Sequence, residues 1–283
     1  MTFDDIAIIE DDYTNLDSVR MPQLVYKYRS WNNGDRFHDN VLVRNELFMA
    51  YPDSFTDKSD SRNIPRLDLM NDEEIKRWAE NMLKNVRPDW DDKTLAREHA
   101  RRVPNLMRDF RNEESMKKFT DYEWNNYNKQ TGILSLCMQS LNNKMWDMYA
   151  NKHMGICYGL DTNKFIRMCG SSGGNYVTYK KELPHINPFD DKVVNSLMRI
   201  YFKHENWRFE EEYRITTSYE NNPDQSRILV VPDSVFREVI LGKSFDERQI
   251  PTVIAHLKAK EFRPILYKCK VRDNILIREL IQY

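Results

Sequence analysis

Thr131-Gly-Ile-Leu-Ser-Leu-Cys-Met138 is a mainly apolar run, and the chain after it keeps returning to segments of strand-forming residues. Gly155-Ile-Cys-Tyr-Gly-Leu160, Asn175-Tyr-Val-Thr-Tyr179, Glu211 to Ser218, Arg227 to Val231, Arg237 to Leu241, Pro264 to Val271 and Ile275 to Ile281 all read as strands. Helices are expected between them, at Asn143 to Lys152, from Pro188 with Val194, Leu197, Met198, Tyr201 and Phe202 on one side, and around Val253 to Lys260. Strands that dominate the second half, with helices inserted among them, predict an α+β fold built on a mixed or antiparallel β-sheet core.

Upstream, Leu24-Val-Tyr-Lys-Tyr28 before the turn signal Trp31-Asn-Asn-Gly34, and Glu46 to Tyr51 before Pro52, predict two further strands. Residues 71–127 change period: Ile75, Trp78, Met82, Leu83 and Val86 recur at helical spacing, with Asn71 and Glu74 placed as a capping box. Leu95, His99 and Arg102 continue a helical pattern to Pro104, after which Leu106, Met107 and Phe110 open another helix. The organisation read from this is an acidic arm over 1–23 and one α+β domain over 24–283, with a helical insertion at about 66–130.

Composition removes several functions. The 43 basic and 44 acidic side chains nearly cancel, so the chain as a whole lacks the strongly basic balance that nucleic acid rewards. With 8 glycines there is no GxGxxG, and Gly242-Lys243-Ser244 is no P-loop because Arg237 stands where that motif needs its first glycine. Cys137, Cys157, Cys169 and Cys269 have no C-x-x-C spacing, which argues against a zinc cluster or a disulfide scaffold, and no histidine pair has ligand spacing; no metal is expected. An acidic first dozen residues and the lack of a run of ~20 apolar residues predict a cytoplasmic protein with no membrane partner.

Three segments concentrate chemistry. In Trp207-Arg-Phe-Glu-Glu-Glu-Tyr-Arg-Ile215, a strand starting near Glu210 puts Glu210, Glu212 and Arg214 on one face. That is either a solvated charged face or a site in which one carboxylate faces the reacting centre while Arg214 keeps another ionised. In Tyr26-Lys-Tyr-Arg-Ser30, Tyr26, Tyr28 and Ser30 share one face, Lys27 and Arg29 the other, and Arg29 can clamp a phosphate or carboxylate or be half of a surface basic pair. In the third, on a helix, Trp146, Tyr149 and His153 fall on one side with Gly155 as terminator, a stripe that reads as core or as a binding face.

Four blocks in order resemble the bacterial domain-of-unknown-function family 2971: Tyr26 to Ser30; Ser135-Leu136 with Met145-Trp-Asp-Met-Tyr-Ala-Asn-Lys-His-Met-Gly-Ile-Cys157; Lys203 to Trp207 with Glu210 to Ile215; and Val239-Ile-Leu-Gly242. The resemblance runs from about Leu24 to about Val271 and is weakest over 66–130. Where the family carries an Asn-Asp-Pro-Phe-like element, this chain has Ser54-Phe55-Thr56-Asp57-Lys58, so Phe55 and Asp57 carry over. The element order is similar to that of ADP-ribosyltransferases: an early strand with Arg, a middle Ser or Tyr with an aromatic, and a late Glu-x-Glu.

That likeness implies ADP-ribosyl transfer from NAD, or NAD cleavage, in a toxin or phage-defence setting, with a nucleic-acid or protein acceptor. It implies Glu212 beneath the ribose, Glu210 on the acceptor nucleophile, Arg29 on the pyrophosphate, and Tyr149 or Trp146 stacked on nicotinamide, with Tyr28, Ser30, Ser135, His153 and Arg214 around them. Two other readings stand beside it. One is a metal-dependent nuclease using Asp57, Glu210 and Glu212, and the other is a binding module without catalysis.

Overall fold

The computed structural model describes residues 21–31, 36–63, 65, 66, 69–169, 173–186, 192–219, 222 and 224–283. All but the last three residues of the acidic arm, and Pro188, lie outside them. The first half runs β1 (Leu24–Arg29), α1 (Arg36–Val43), β2 (Glu46–Phe48), α2 (Asp72–Val86), α3 (Asp92–Phe110) and α4 (Glu113–Gln130). The second half brings β3 (Thr131–Cys137), α5 (Asn143–Tyr149), β4 (Ile156–Asp161), α6 (Thr162–Cys169), β5 (Gly174–Tyr176), β6 (Thr178–Lys180), α7 (Lys192–Tyr201) and β7 (Phe202–His204). It ends with β8 (Glu212–Ser218), β9 (Ile228–Val230), β10 (Phe236–Leu241), α8 (Ile250–Lys258), β11 (Ile265–Arg272) and β12 (Ile275–Ile281).

Eight strands form one sheet in the order β12-β11-β10-β4-β1-β3-β8-β5. Among the described residues of this sheet only β10 and β11 pair in parallel, which requires a crossover, and α8 provides it. The fold is therefore α+β on a mixed, mostly antiparallel sheet. Alternation along β1 sends Val25 into a core with Leu134, Leu136, Tyr158, Leu160 and Val239 on one face. Tyr26 and Tyr28 join Cys137, Trp146, Cys157, Ile240 and Cys269 on the other. With both faces covered, the central strands can be continuously apolar, as the sequence of β3 shows.

The 72–130 helices have a small core of their own, in which Trp78, Phe110 and Phe119 meet edge to face near Ile75 and Met70. Both bonds of the Asn71–Glu74 capping box are formed. Pro104 does not end a helix: α3 passes through it, and the break falls at Arg111, where Asn112 caps α4 through the Ser115 N–H. One missing N–H is tolerated because Val103 is buried just before it and Leu106 and Phe110 pack against the neighbouring helices just after it. The segment at Asn175 is also divided, β5 joining the main sheet and β6 pairing with β7.

The sheet opens between β1 and β3. β1 is registered with β4 over its whole length, but with β3 only at Tyr26↔Cys137. Beyond that point β3 turns to Ala50, which pairs with Ile133. Buried Arg227 pins the far side, donating to the carbonyls of Lys129 and Thr131 between the rings of Tyr51 and Tyr219.

Candidate active-site cleft

The parted strands enclose a cavity of about 380 Å³. Four consecutive β1 residues, Tyr26 to Arg29, line it where the strand leaves β3. Ser135 and Cys137 of β3, Phe48, Phe55, Asp57 and Asp60, Tyr149 of α5, and Lys203, Trp207, Glu210 and Glu212 also line it.

The acidic wall is not the single strand face expected. Glu205–Glu210 is a 3-10 helix, Glu211 is left-handed with φ 41°, and β8 starts at Glu212. The tight turn at Glu211 brings two carboxylates together from different elements. Lys203 Nζ lies 2.5 Å from Glu210, 3.1 Å from Glu212 and 3.1 Å from Asp60. Arg214, fully buried, forks onto Glu212 through Nε and Nη2 at 2.9 and 3.0 Å, and onto Asp60 at 2.9 and 2.6 Å. The Tyr149 hydroxyl donates to Glu210 at 2.5 Å.

These contacts split the two glutamates. Burial works against the Glu212 charge, but Arg214 and then Lys203 override it and hold its pKa at about 2. For Glu210 burial is the larger influence; Lys203 opposes it, the neighbouring Glu212 charge reinforces it, and the pKa is raised. Asp60, Glu210 and Glu212 are three carboxylates served by two cations, Lys203 and Arg214, and Arg214 is committed to Asp60 and Glu212. The cluster thus has one carboxylate more than it has cations, and Lys203, nearest Glu210, is shared among all three.

The opposite wall is basic. Lys27 donates one hydrogen bond, 2.7 Å to the Ser135 carbonyl, and Arg29 Nε is buried without a partner. Burial lowers the pKa of both, and for Lys27 the Arg29 charge adds to it while Glu212 and Glu210 oppose it.

Of the residues singled out in the sequence, Tyr28, Arg29, Ser135, Tyr149, Glu210 and Glu212 line the cavity, and Arg214 lies behind its acidic wall. The Tyr28 hydroxyl is tied to the Gln139 carbonyl at 2.5 Å. Ser30 follows β1 outside the lining. Trp146 is fully buried, edge-on to Tyr28 and donating to the Ser140 carbonyl, so it has no face for a ligand. His153 is not on the helix: α5 ends at Tyr149, and Asn151, Lys152 and His153 form a left-handed run that folds the imidazole onto the Trp146 ring. Asp57 lines the mouth and accepts from Ser59.

Sequence reading passed over Asp60, Lys27, Lys203 and Trp207 as site residues. Lys203 carried a signal, an ammonium flanked by apolar Phe202 on a short strand just before the acidic run, which implies burial and hence a carboxylate partner. Asp60 carried none, since it meets Arg214 across 154 residues.

Residues 145–215 match the family described as "Protein of unknown function (DUF2971)". That segment carries Tyr149, Lys203, Glu210, Glu212 and Arg214, the whole acidic wall except Asp60, while Lys27 and Arg29 lie outside it. No curated protein and no solved structure matches the chain. Among the described residues, no helix is long and apolar enough to cross a membrane.

Proposed function

We propose that the cleft binds NAD and breaks its nicotinamide–ribose bond, passing the ADP-ribosyl group to an acceptor or to water. The observation that carries this reading is one cavity with three carboxylates sharing two cations on one wall and a basic pair without carboxylate partners on the other. Breaking that bond creates an oxocarbenium-like ribose, and a carboxylate that must share its cation with two others is the freer to stabilise it. Glu210 fits that role better than Glu212, whose charge Arg214 already neutralises. Tyr149 orients Glu210, and Glu212, with Asp60, positions Lys203 beneath it. Trp207 and Phe55 replace Trp146 as ring-stacking surfaces at the cavity.

The volume is near the lower end of ligand pockets, roughly 300–1,000 Å³, which suits the nicotinamide-ribose end with the adenosine end toward solvent. A nucleic-acid or protein acceptor, and a toxin or phage-defence setting, follow from the resemblance alone. The nuclease reading is less well supported, because the Lys203 ammonium occupies the point between Asp60, Glu210 and Glu212 that a hard cation would need.

The test is NAD consumption by the purified chain. Turnover is expected, and Glu210→Gln is expected to lower it by roughly 10²–10³-fold with an unchanged melting temperature. Failure of the native chain to consume NAD, or equal turnover in Glu210→Gln, overturns the reading.

A further inference from the structure

Lys27 is half-buried and lines the cavity where β1 leaves β3. Its Nζ donates one hydrogen bond, 2.7 Å to the Ser135 carbonyl, and among the described residues no carboxylate lies at ion-pairing distance from it. Two other enclosed lysines are held differently. Lys203 touches Asp60, Glu210 and Glu212, and Lys260 lies 3.1 Å from Asp233. Each of these meets an anion, whereas Lys27 meets only a neutral acceptor.

The surroundings of Lys27 disfavour a charge on it. Arg29 stands two residues on, on the same strand face and in the same cavity lining, so the nearest formal charge along β1 is a like one. Phe48, Phe55, Ile133, Leu136 and Met145 also border the space and offer no counter-ion. The carboxylates of the acidic wall are engaged elsewhere, Glu212 by Arg214 and Lys203, and Glu210 by Lys203 and Tyr149. In keeping with this geometry, burial and then the Arg29 charge hold the Lys27 pKa well below the ordinary 10.5, with Glu212 and Glu210 opposing them. A lysine desolvated beside a second cation is an arrangement that activates an amine as a nucleophile. Bonded to one carbonyl, a neutral amine still keeps its lone pair and a second hydrogen.

We infer that Lys27 is a nucleophilic amine and that the cleft captures an aldehyde or ketone as a Schiff base on its Nζ, an activity separate from the breaking of NAD. The Nζ lone pair forms a bond to the carbonyl carbon while the π pair of the C=O group moves to oxygen, giving a carbinolamine. That oxygen then leaves as water with both amine hydrogens, and the remaining nitrogen pair closes the C=N bond, so no oxidant or reductant is consumed. A primary amine is required because two hydrogens must depart with the oxygen, and the permanently charged Arg29 guanidinium cannot take that part. The inference shares its cleft with the NAD reading but uses none of the carboxylate chemistry on which that reading depends.

The experiment is reductive trapping on the intact folded chain with a small neutral aldehyde, propanal, and sodium cyanoborohydride, followed by peptide mapping. Hydride from the cyanoborohydride adds to the imine carbon and fixes one propyl group on the amine that formed it. At about pH 6.5 an ordinary lysine is free amine to roughly one part in ten thousand, so surface lysines react slowly. Lys27 is expected to be labelled roughly tenfold or more faster than any other lysine, the mapping keeping it apart from the α-amino group. That preference is expected to vanish in urea, where the surroundings of the side chain are gone. Labelling spread evenly over the lysines, a Lys27 that stays unmodified, or a preference that survives unfolding overturns the inference. Selective labelling without NAD turnover keeps the nucleophilic amine and removes NAD cleavage. NAD turnover with Lys27 unlabelled does the reverse.

Discussion

Glu210 and Glu212 share one lysine, yet protons leave them in opposite directions from the ordinary 4.5. Glu212, depressed to about 2, contributes stability that is present above pH 4.5 and lost as the pH falls toward 2. Glu210 is raised, so the folded chain holds its proton more tightly than the unfolded one, and its contribution is lost as the pH rises from 4.5 through its folded value. Chemical denaturation across pH is expected to show a steep acid limb that Glu212→Gln flattens, at a cost of about 3–5 kcal/mol at neutral pH because Arg214 and Lys203 lose a buried partner. Glu210→Gln is expected to leave that limb in place. An acid limb identical in Glu212→Gln contradicts the assignment. At this scale the Glu212–Arg214 pairing was legible, since residues two apart on a strand share a face; the place of Glu210 was not, because left-handed Glu211 interrupts the alternation.

Elements show where local signals compete with packing. The left-handed run after α5 fits only because two glycines let backbones touch. At Gly242 an added Cβ would fall on the His153 carbonyl, and at Gly155 on that of Arg29. The glycine that imitated a phosphate loop thus closes a backbone contact, sealed by Gly242 N–H to Gly155 O at 3.0 Å and Ser244 N–H to His153 O at 3.1 Å. Gly242→Ala is expected to destabilise by about 1–3 kcal/mol in urea unfolding, since backbone rather than flexible side-chain atoms must yield. A change of a few tenths would show that the turn can move. The capping box at Asn71 was legible because capping is local; the persistence of α3 through Pro104 was not, because packing outweighs a local preference.

Over the whole molecule, α2 and α3 close a small core of their own, whereas α4 ends with Tyr127 packed against Ile133, Ile200 and Tyr201 beside β3. Native-state hydrogen exchange is expected to open α2 and α3 below the free energy needed for β1, β4 and β10, with the Tyr127 end of α4 following the sheet. Uniform protection across these elements contradicts this. Strand and helix patterning along the chain, read alone, determined the α+β class and most elements, because burial on both sheet faces and on one helix face writes itself into residue period. It also supplied the two halves of the cleft, as a basic pair on the first strand and an acidic run before a late one. Only the tertiary structure decided that they meet, because β1 and β3 part after one registered pair, and the gap between them is lined by residues of the first strand and of the late acidic run together.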